Sequence, residues 1–232
     1  MADATWTVPV GSGSVTALLD AADDPAAPAF VFAHGAGGNM MDRGLVAATA
    51  ALVGCPLNIV RFNFPYAERH RRRVDPMTSL MHCIEAVVGV AKGELSTRTW
   101  ILGGRSMGGR AASMLVADGF RCDGLLLLAY PLHPADHPER LRDSHLPRIE
   151  APVLCVNGTR DALCRQDLMS NVVRTLGDRW TMRWLKGADH SFHVTRASGH
   201  TDAEVFKEVA ETTCAWLARF DARQPSAGCG PS

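Results

Sequence analysis

The sequence of 232 residues lacks several features that mark whole classes of protein. Its longest uninterrupted apolar run, Leu125 to Tyr130, is far shorter than the roughly 18 residues of a membrane span. Its formal net charge is zero, so it lacks the basic excess that phosphate binding favours. The N-terminal residues MADATWTVPVGSG show neither the basic start nor the apolar block of a secretory signal. We therefore expect a cytoplasmic protein that binds neither nucleic acid nor membranes.

Cysteine is present without a recognisable pattern. The seven cysteines are odd in number, scattered and never spaced as CxxC, which argues against a disulfide framework and a zinc site. We expect most of them to be small, buried apolar residues in a reducing compartment. They are Cys55, Cys83, Cys122, Cys155, Cys164, Cys214 and Cys229.

Three histidines, His133, His137 and His145, have spacings that resemble those of metal ligands. Pro134 and Pro138 interrupt any helix that would place them on one face. A solvated loop is therefore favoured over a metal site, and we expect no metal and no organic cofactor.

Short apolar runs alternate with helical patterns along most of the chain, and this alternation predicts an α/β fold. Continuous apolar segments such as GLLLLAY are typical of parallel strands buried on both faces. The sequence predicts a mostly parallel central sheet with helices on both faces and an antiparallel N-terminal hairpin. Predicted strands are Trp6–Val10, Ser14–Leu19, Phe30–Ala33, Asn58–Phe62, Thr99–Gly103, Gly124–Tyr130, Val153–Asn157 and Thr181–Leu185. Predicted helices are Met41–Val53, Thr78–Val90, Met107–Asp118, Gln166–Leu176 and Asp202–Phe220.

The predicted elements leave little chain for anything besides one domain. We assign residues 1–223 to that domain and expect residues 224–232 to be a disordered tail. Residues 131–149 are rich in His, Pro and charge and interrupt the alternation. Because an open parallel sheet binds its ligands at the carboxyl ends of its strands, we expect this short insertion to form a minimal cap near the active site.

The segment GGRSMGGR matches the pattern G-x-S-x-G directly after a predicted strand and before a predicted helix. Such a tight turn exposes the hydroxyl of Ser106 at a helix N-terminus, where developing negative charge is favoured. A serine of ordinary pKa needs a base, and the base needs an orienting carboxylate. The sequence predicts that Ser106 is a nucleophile with both partners downstream; the alternative for the isolated motif is a capping Ser.

Asp161 and His190 follow the strands VLCVN and TMRWL, in the loops GTRD and KGADHSF. The chain order Ser106, Asp161, His190 is that of α/β-hydrolases and differs from the orders of chymotrypsin and subtilisin. We therefore predict a triad of nucleophile, acid and base.

Other assignments of the acid and the base remain open. Asp189 adjoins His190 and suits a turn, Asp167 suits N-capping of a helix, and His193 is an alternative base within reach of the same loop.

An oxyanion hole is the next requirement, since its donors stabilise the tetrahedral intermediate. We expect one donor to be the backbone N–H of Met107 and the other that of Ala36, with Gly37 as the alternative. His34, in the same HGAGG loop, is favoured as a structural hydrogen-bonding residue over a second base.

Contacts to the substrate are suggested by residues that follow the strands near the triad. Phe64 and Tyr66 are candidate pocket walls or loop anchors, Arg105 a candidate anion contact or ion-pair partner, and Tyr130 a candidate rim residue. The only dense charge run, Arg69 to Arg73, is favoured as a solvated face, with attraction of an anionic substrate as the alternative.

Residues 29–220 resemble α/β-hydrolases through HGAGG, NFPY, GGRSMGGR, YPLHP, GTRD and GADHSF. The motifs are similar to those of the compact branch related to dienelactone hydrolases, which includes a testis-expressed hydrolase-like protein and a subunit of a histone-acetylating chromatin complex. The resemblance implies the same roles for Ser106, Asp161, His190, Met107 and Ala36. Dienelactone hydrolases proper carry cysteine as the nucleophile, which argues against that specific activity here.

The combined pattern predicts a serine hydrolase of small-molecule esters, thioesters or lactones that works through an acyl-enzyme. Short acyl groups are expected, since little chain is left to build a deep lid. Two alternatives stay open: a non-catalytic scaffold or binding protein, as the chromatin-complex relative is thought to be, and an acyltransferase with the same triad. The oligomeric state is not predicted.

Overall fold

An eight-stranded sheet runs through residues 2–221, the part of the chain that the computed structural model describes. The strands are β1 (Ala4–Val10), β2 (Gly13–Asp20), β3 (Ala29–Ala33), β4 (Asn58–Phe62), β5 (Trp100–Arg105), β6 (Gly124–Leu128), β7 (Val153–Gly158) and β8 (Trp180–Leu185). Their order in the sheet is β1-β2-β4-β3-β5-β6-β7-β8. β1 pairs antiparallel with β2, and β2 with β4, while every other neighbouring pair is parallel. The predicted tail, residues 224–232, lies outside the described residues.

Within the described residues, six α-helices connect or follow these strands: α1 (Arg43–Leu52), α2 (Pro65–Glu68), α3 (Met77–Glu94), α4 (Met107–Ala117), α5 (Gln166–Leu176) and α6 (Asp202–Asp221). None of the described helices combines the length and the apolar character needed to cross a bilayer. The predicted α/β class, the parallel sheet and the N-terminal hairpin are confirmed. The short helix α2 was not predicted, because a single turn gives no helical periodicity.

Two apolar clusters cover the two faces of the sheet. Alternate residues of each central strand point to opposite faces. In β6, Leu125 and Leu127 join one cluster with residues of α3, α4 and α5, whereas Leu126 and Leu128 join the other with residues of α1 and α6. This two-sided burial is why the central strands read as continuous apolar runs. β6 ends at Leu128, two residues earlier than predicted, and Ala129 then has a positive φ of 52°.

The insertion at residues 131–149 is anchored to the domain by buried side chains. His133 Nε2 accepts a hydrogen bond from the backbone N–H of Arg165 at 3.0 Å, and His145 Nε2 lies 2.8 Å from Ser113 Oγ in α4. The expectation of a solvated loop is wrong for these two histidines, which are buried, and holds for His137, which is exposed beside Glu139. Burial, with smaller contributions from nearby arginines, lowers the pKa of His145 to about 4.

This burial predicts a loss of stability in mild acid. His145 stays neutral in the folded protein but takes up a proton in the unfolded chain, so stability is retained above about pH 6.5 and lost as the pH falls toward about 4. With allowance for screening by solvent, we expect a loss of about 1–2 kcal/mol. Urea unfolding at about pH 7 and about pH 5 measures it. His145→Gln, which does not titrate, should lose less; an equal loss in both proteins would contradict the assignment.

Cys55 and Cys214 form a disulfide between the loop after α1 and helix α6. The argument from the cysteine pattern against disulfides is therefore wrong for these two, which lie 159 residues apart and meet only when α6 packs against α1. Among the described residues, Cys83, Cys122, Cys155 and Cys164 are free. Cys229 lies outside the described residues.

Titration of thiols in denaturant tests this pairing. The number of reactive thiols should rise by two on reduction, since the described residues contain one disulfide. Replacing Cys55 and Cys214 together by alanine should lower the free energy of unfolding by about 2–5 kcal/mol, because the disulfide closes a long loop. Cys122→Ala is the matched control and should change it little. Disulfides are rare in reducing compartments, so seven reactive thiols in protein alkylated on extraction from cells would overturn the pairing and favour the cytoplasmic expectation.

Candidate active site

Ser106 occupies the sharp turn between β5 and α4. Its φ is 51° and its ψ is −119°, a backbone conformation that residues other than glycine rarely adopt. The turn is held in register because the N–H of Ser106 donates a hydrogen bond to the carbonyl oxygen of Leu128 in β6 at 2.9 Å. The geometry presents the Ser106 hydroxyl at the N-terminus of α4.

The glycines on either side of Ser106 are required by close backbone contacts. A Cβ atom at Gly104 or at Gly108 would lie 2.5 Å from the carbonyl oxygen of Ala33, at the end of β3. That distance is well inside van der Waals contact, and the obstructing atom belongs to the backbone of a central strand. The pattern G-x-S-x-G therefore reflects the packing of the turn against β3.

The structure brings Ser106, Asp161 and His190 together. His190 Nε2 lies 2.8 Å from Ser106 Oγ, and His190 Nδ1 lies 2.9 Å and 2.8 Å from the two carboxylate oxygens of Asp161. Because an ionised carboxylate only accepts hydrogen bonds, this network assigns the proton of neutral His190 to Nδ1 and leaves Nε2 as an acceptor for the hydroxyl. The three side chains come from the loops that follow β5, β7 and β8, at one end of the sheet.

Asp161 is buried and receives two further hydrogen bonds. Asn157 Nδ2 donates to one carboxylate oxygen at 3.1 Å, and the N–H of Leu163 donates to the other at 2.8 Å. Asn157 also bonds both the N–H and the carbonyl oxygen of Tyr130, so it ties the end of β7 to the end of β6. Sequence reasoning missed Asn157, since a single asparagine at a strand end carries no signal.

The alternative acids and base have other partners. Asp189 accepts hydrogen bonds from the N–H groups of Ser191 and His193, which shape the loop that carries His190. Asp167 pairs with Arg165 in the first turn of α5, instead of the predicted N-cap role. His193 is exposed and pairs with Asp202 at 2.9 Å, so it is turned away from Ser106.

The expected oxyanion donors lie near Ser106. Met107 is the first residue of α4, where the N–H has no partner within the helix. The loop after β3 also comes close to Ser106, since a Cβ atom at Gly35 would lie 3.6 Å from Ser106 Cβ. Within residues 2–221, the N–H of Ala36 donates no hydrogen bond, whereas the backbone N–H of Gly37 interacts with the hydroxyl of Tyr66. Of these two N–H groups, that of Ala36 is therefore the free one.

His34 holds this loop to the loop after β4. Its Nε2 accepts a hydrogen bond from the N–H of Phe64 at 3.1 Å, so Nδ1 carries the proton and donates to the carbonyl oxygen of Gly35 at 2.9 Å. Burial lowers the pKa of His34, which favours this neutral form. Tyr66 donates its hydroxyl to the same carbonyl oxygen at 3.2 Å.

Three of the four candidate substrate contacts are fully enclosed by protein. Phe64, Tyr66 and Tyr130 are each at most 1% exposed, so in this conformation they support loops and present no surface to a ligand. Tyr130 donates its hydroxyl to the carbonyl oxygen of Arg142, which fastens the insertion. The fourth candidate, Arg105, is largely buried and hydrogen-bonded to the backbone of His190.

Two further features of the surface are the arginine-rich run and a cavity. All five residues of the Arg69 to Arg73 run are exposed, and Arg69 lies 3.9 Å from Asp75. A cavity of about 760 Å³ opens at the other end of the sheet, where β5 and β6 begin, and includes Trp100 and Asp123 in its lining. None of Ser106, Asp161 and His190 lines that cavity. No group of side chains within the described residues is suited to hold a metal ion.

Comparisons with known proteins identify the family and the fold of the chain. A family model described as an alpha/beta hydrolase domain matches residues 26–218. Among solved structures, the chain is similar to an alpha-beta serine hydrolase homologue from Coxiella burnetii, with 19% identity, a TM-score of 0.74, and coverage of 94% of this chain and 98% of that one.

Two further structures show the same fold at similar identity. A serine hydrolase without a lid from Xanthomonas campestris is 20% identical, with a TM-score of 0.72 and coverage of 92% of this chain and 94% of that one. A dienelactone hydrolase from Anabaena variabilis is 17% identical, with a TM-score of 0.70 and coverage of 93% and 96%.

Proposed function

The chain belongs to the alpha/beta hydrolase domain family, and on this premise we propose that it is a serine hydrolase that cleaves carboxylic esters, thioesters or lactones through an acyl-enzyme. The observation that carries the proposal is the continuous hydrogen-bonded chain from Ser106 Oγ through His190 to Asp161. A scaffold protein has no physical need for these linked hydrogen bonds, so the geometry favours catalysis over binding alone.

In the first half of the proposed reaction, Ser106 Oγ attacks the carbonyl carbon while His190 Nε2 takes the hydroxyl proton. The resulting imidazolium is stabilised by Asp161, which is buried and already held by Asn157 and Leu163. Collapse of the tetrahedral intermediate breaks the bond to the leaving group, and His190 returns the proton to it. The acyl group remains on Ser106.

In the second half, His190 removes a proton from water as the water attacks the acyl carbon. The tetrahedral intermediate then collapses, His190 returns that proton to Ser106 Oγ, and the carboxylic acid is released. In both halves the N–H groups of Met107 and Ala36 stabilise the oxyanion, helped by the positive end of the α4 dipole. The proposed steps use only these groups and water.

Covalent labelling tests the nucleophile. A fluorophosphonate probe should modify Ser106 in the wild-type protein, because activated serine attacks the phosphorus atom. Ser106→Ala should not label, and His190→Ala should label about 100- to 10,000-fold more slowly, the range expected for a general base. Peptide mapping locates the modified residue. If the wild-type protein is folded, as judged by circular dichroism, and still does not react with the probe, the proposal is refuted.

The size of the acyl group follows from the cap. We infer that residues 131–149 form the cap, and Tyr130, His133 and His145 fasten this insertion to the domain. A fastened and short cap provides little apolar surface for a long chain. We therefore propose short acyl groups as the preferred substrates.

A series of p-nitrophenyl esters from acetate to palmitate measures this preference. We expect kcat/KM to be highest for acetate or butyrate and to fall as the chain lengthens, since added methylenes find no apolar wall to bury against. Initial rates below the micelle concentration of each ester avoid interfacial effects. An optimum at octanoate or longer would contradict the argument from the cap.

A further inference from the structure

The guanidinium group of Arg105, the residue before Ser106, reaches the loop that carries His190. Its Nη2 donates a hydrogen bond to the carbonyl oxygen of His190 at 3.0 Å, and its Nη1 lies 3.8 Å from the carboxylate of Asp42. Asp42 is the N-cap residue of α1 and makes no side-chain capping bond there. One side chain therefore joins the turn of Ser106, the loop of His190, and the end of the loop that begins at His34.

Helix α1 leaves a space for this guanidinium. A Cβ atom at Gly44, in the first turn of α1, would lie 2.2 Å from Arg105 Nη1 and 2.9 Å from Cζ. The atoms that such a Cβ would meet belong to the end of the flexible Arg105 side chain. Alanine at position 44 should therefore displace the guanidinium and leave the backbone in place. Gly44 thus offers a way to move Arg105 without replacing it.

The buried surroundings of Arg105 disfavour its positive charge. Its side chain is only 13% exposed, its Nε is buried without an acceptor among the described residues, and burial lowers its pKa despite the nearby Asp42, Asp189 and Asp161. Apolar residues would fill such a site at lower cost. The contacts that compensate the charge are the carbonyl of His190 and the carboxylate of Asp42.

We propose that Arg105 is a positioning residue that fixes the backbone of His190 relative to Ser106, an inference that rests on the proposed function. Arg105 is joined to Ser106 by a peptide bond and to the backbone of His190 by a hydrogen bond. The distance between the nucleophile and the base therefore depends directly on the side chain of Arg105. A displacement of about 1 Å at such a site can reduce a rate by about 100-fold. Because the partners of the guanidinium are groups of the protein itself, we expect the effect to fall on kcat and not on KM.

Three variants test the proposal: Arg105→Ala, Arg105→Lys and Gly44→Ala. We expect kcat on a short ester and the rate of fluorophosphonate labelling to fall about 10- to 100-fold in Arg105→Ala and Gly44→Ala, with KM nearly constant. Arg105→Lys should retain intermediate activity, since one ammonium group does not reach both partners. Millimolar guanidinium should restore part of the activity of Arg105→Ala and none of that of Gly44→Ala, where the space is filled.

Gly89→Ala is the matched control for the glycine substitution. Gly89 is exposed in α3, and a Cβ atom there meets nothing within 4 Å, so activity should not change. Wild-type rates in Arg105→Ala would overturn the proposal. So would a rise in KM alone that is confined to anionic esters, which would make Arg105 a substrate contact.

Amide hydrogen exchange separates this inference from the proposed function. Exchange in residues 187–193 should be faster in Arg105→Ala and Gly44→Ala than in the wild-type protein and in Gly89→Ala, whether or not the protein hydrolyses esters. An inactive and unlabelled wild-type protein overturns the proposed function. Unchanged exchange together with unchanged rates in an active protein overturns only the role of Arg105.

Discussion

The close approach between the turn at Ser106 and the end of β3 is the constraint on which the rest of the site depends. Gly104 and Gly108 both lie against the carbonyl oxygen of Ala33, where no side chain fits. This contact fixes where α4 begins, and therefore where the N–H of Met107 points. Gly35, two residues after Ala33, lies close to Ser106, so the loop that carries the proposed second oxyanion donor is near the nucleophile. The strained backbone of Ser106 is maintained by its surroundings on both sides.

The parallel sheet then brings distant parts of the sequence to this turn. Strands β5, β7 and β8 deliver Ser106, Asp161 and His190 to one end of the sheet, although 84 residues separate the serine from the histidine. Hydrogen bonds then fix the positions of these side chains. Asn157 ties β7 to the chain after β6 and holds Asp161, and Arg105 connects the turn to the loop of His190. The loops at this end are therefore fixed relative to one another by buried polar groups.

Local patterns in the sequence were enough to predict the eight strands, five of the six α-helices of the described residues, and the three side chains that the structure brings together. Alternating apolar runs and helical periods depend on near neighbours, as does the turn at Ser106. What the sequence did not predict depends on contacts between distant residues. The disulfide of Cys55 and Cys214, the burial of His145 against Ser113, and the space at Gly44 arise only when α6, the insertion and α1 pack onto the sheet.

The central claim is that Ser106 carries the acyl group during turnover, and mass spectrometry of the protein quenched during hydrolysis of p-nitrophenyl acetate tests it most directly. The account predicts a mass increase of one acetyl group, located on Ser106 by peptide mapping, and its absence from Ser106→Ala. Deacylation needs a base, so the adduct should be longer-lived when the second half of the reaction is slowed by mild acid. Turnover without this adduct, or acetylation that persists in Ser106→Ala with full activity, would contradict the account.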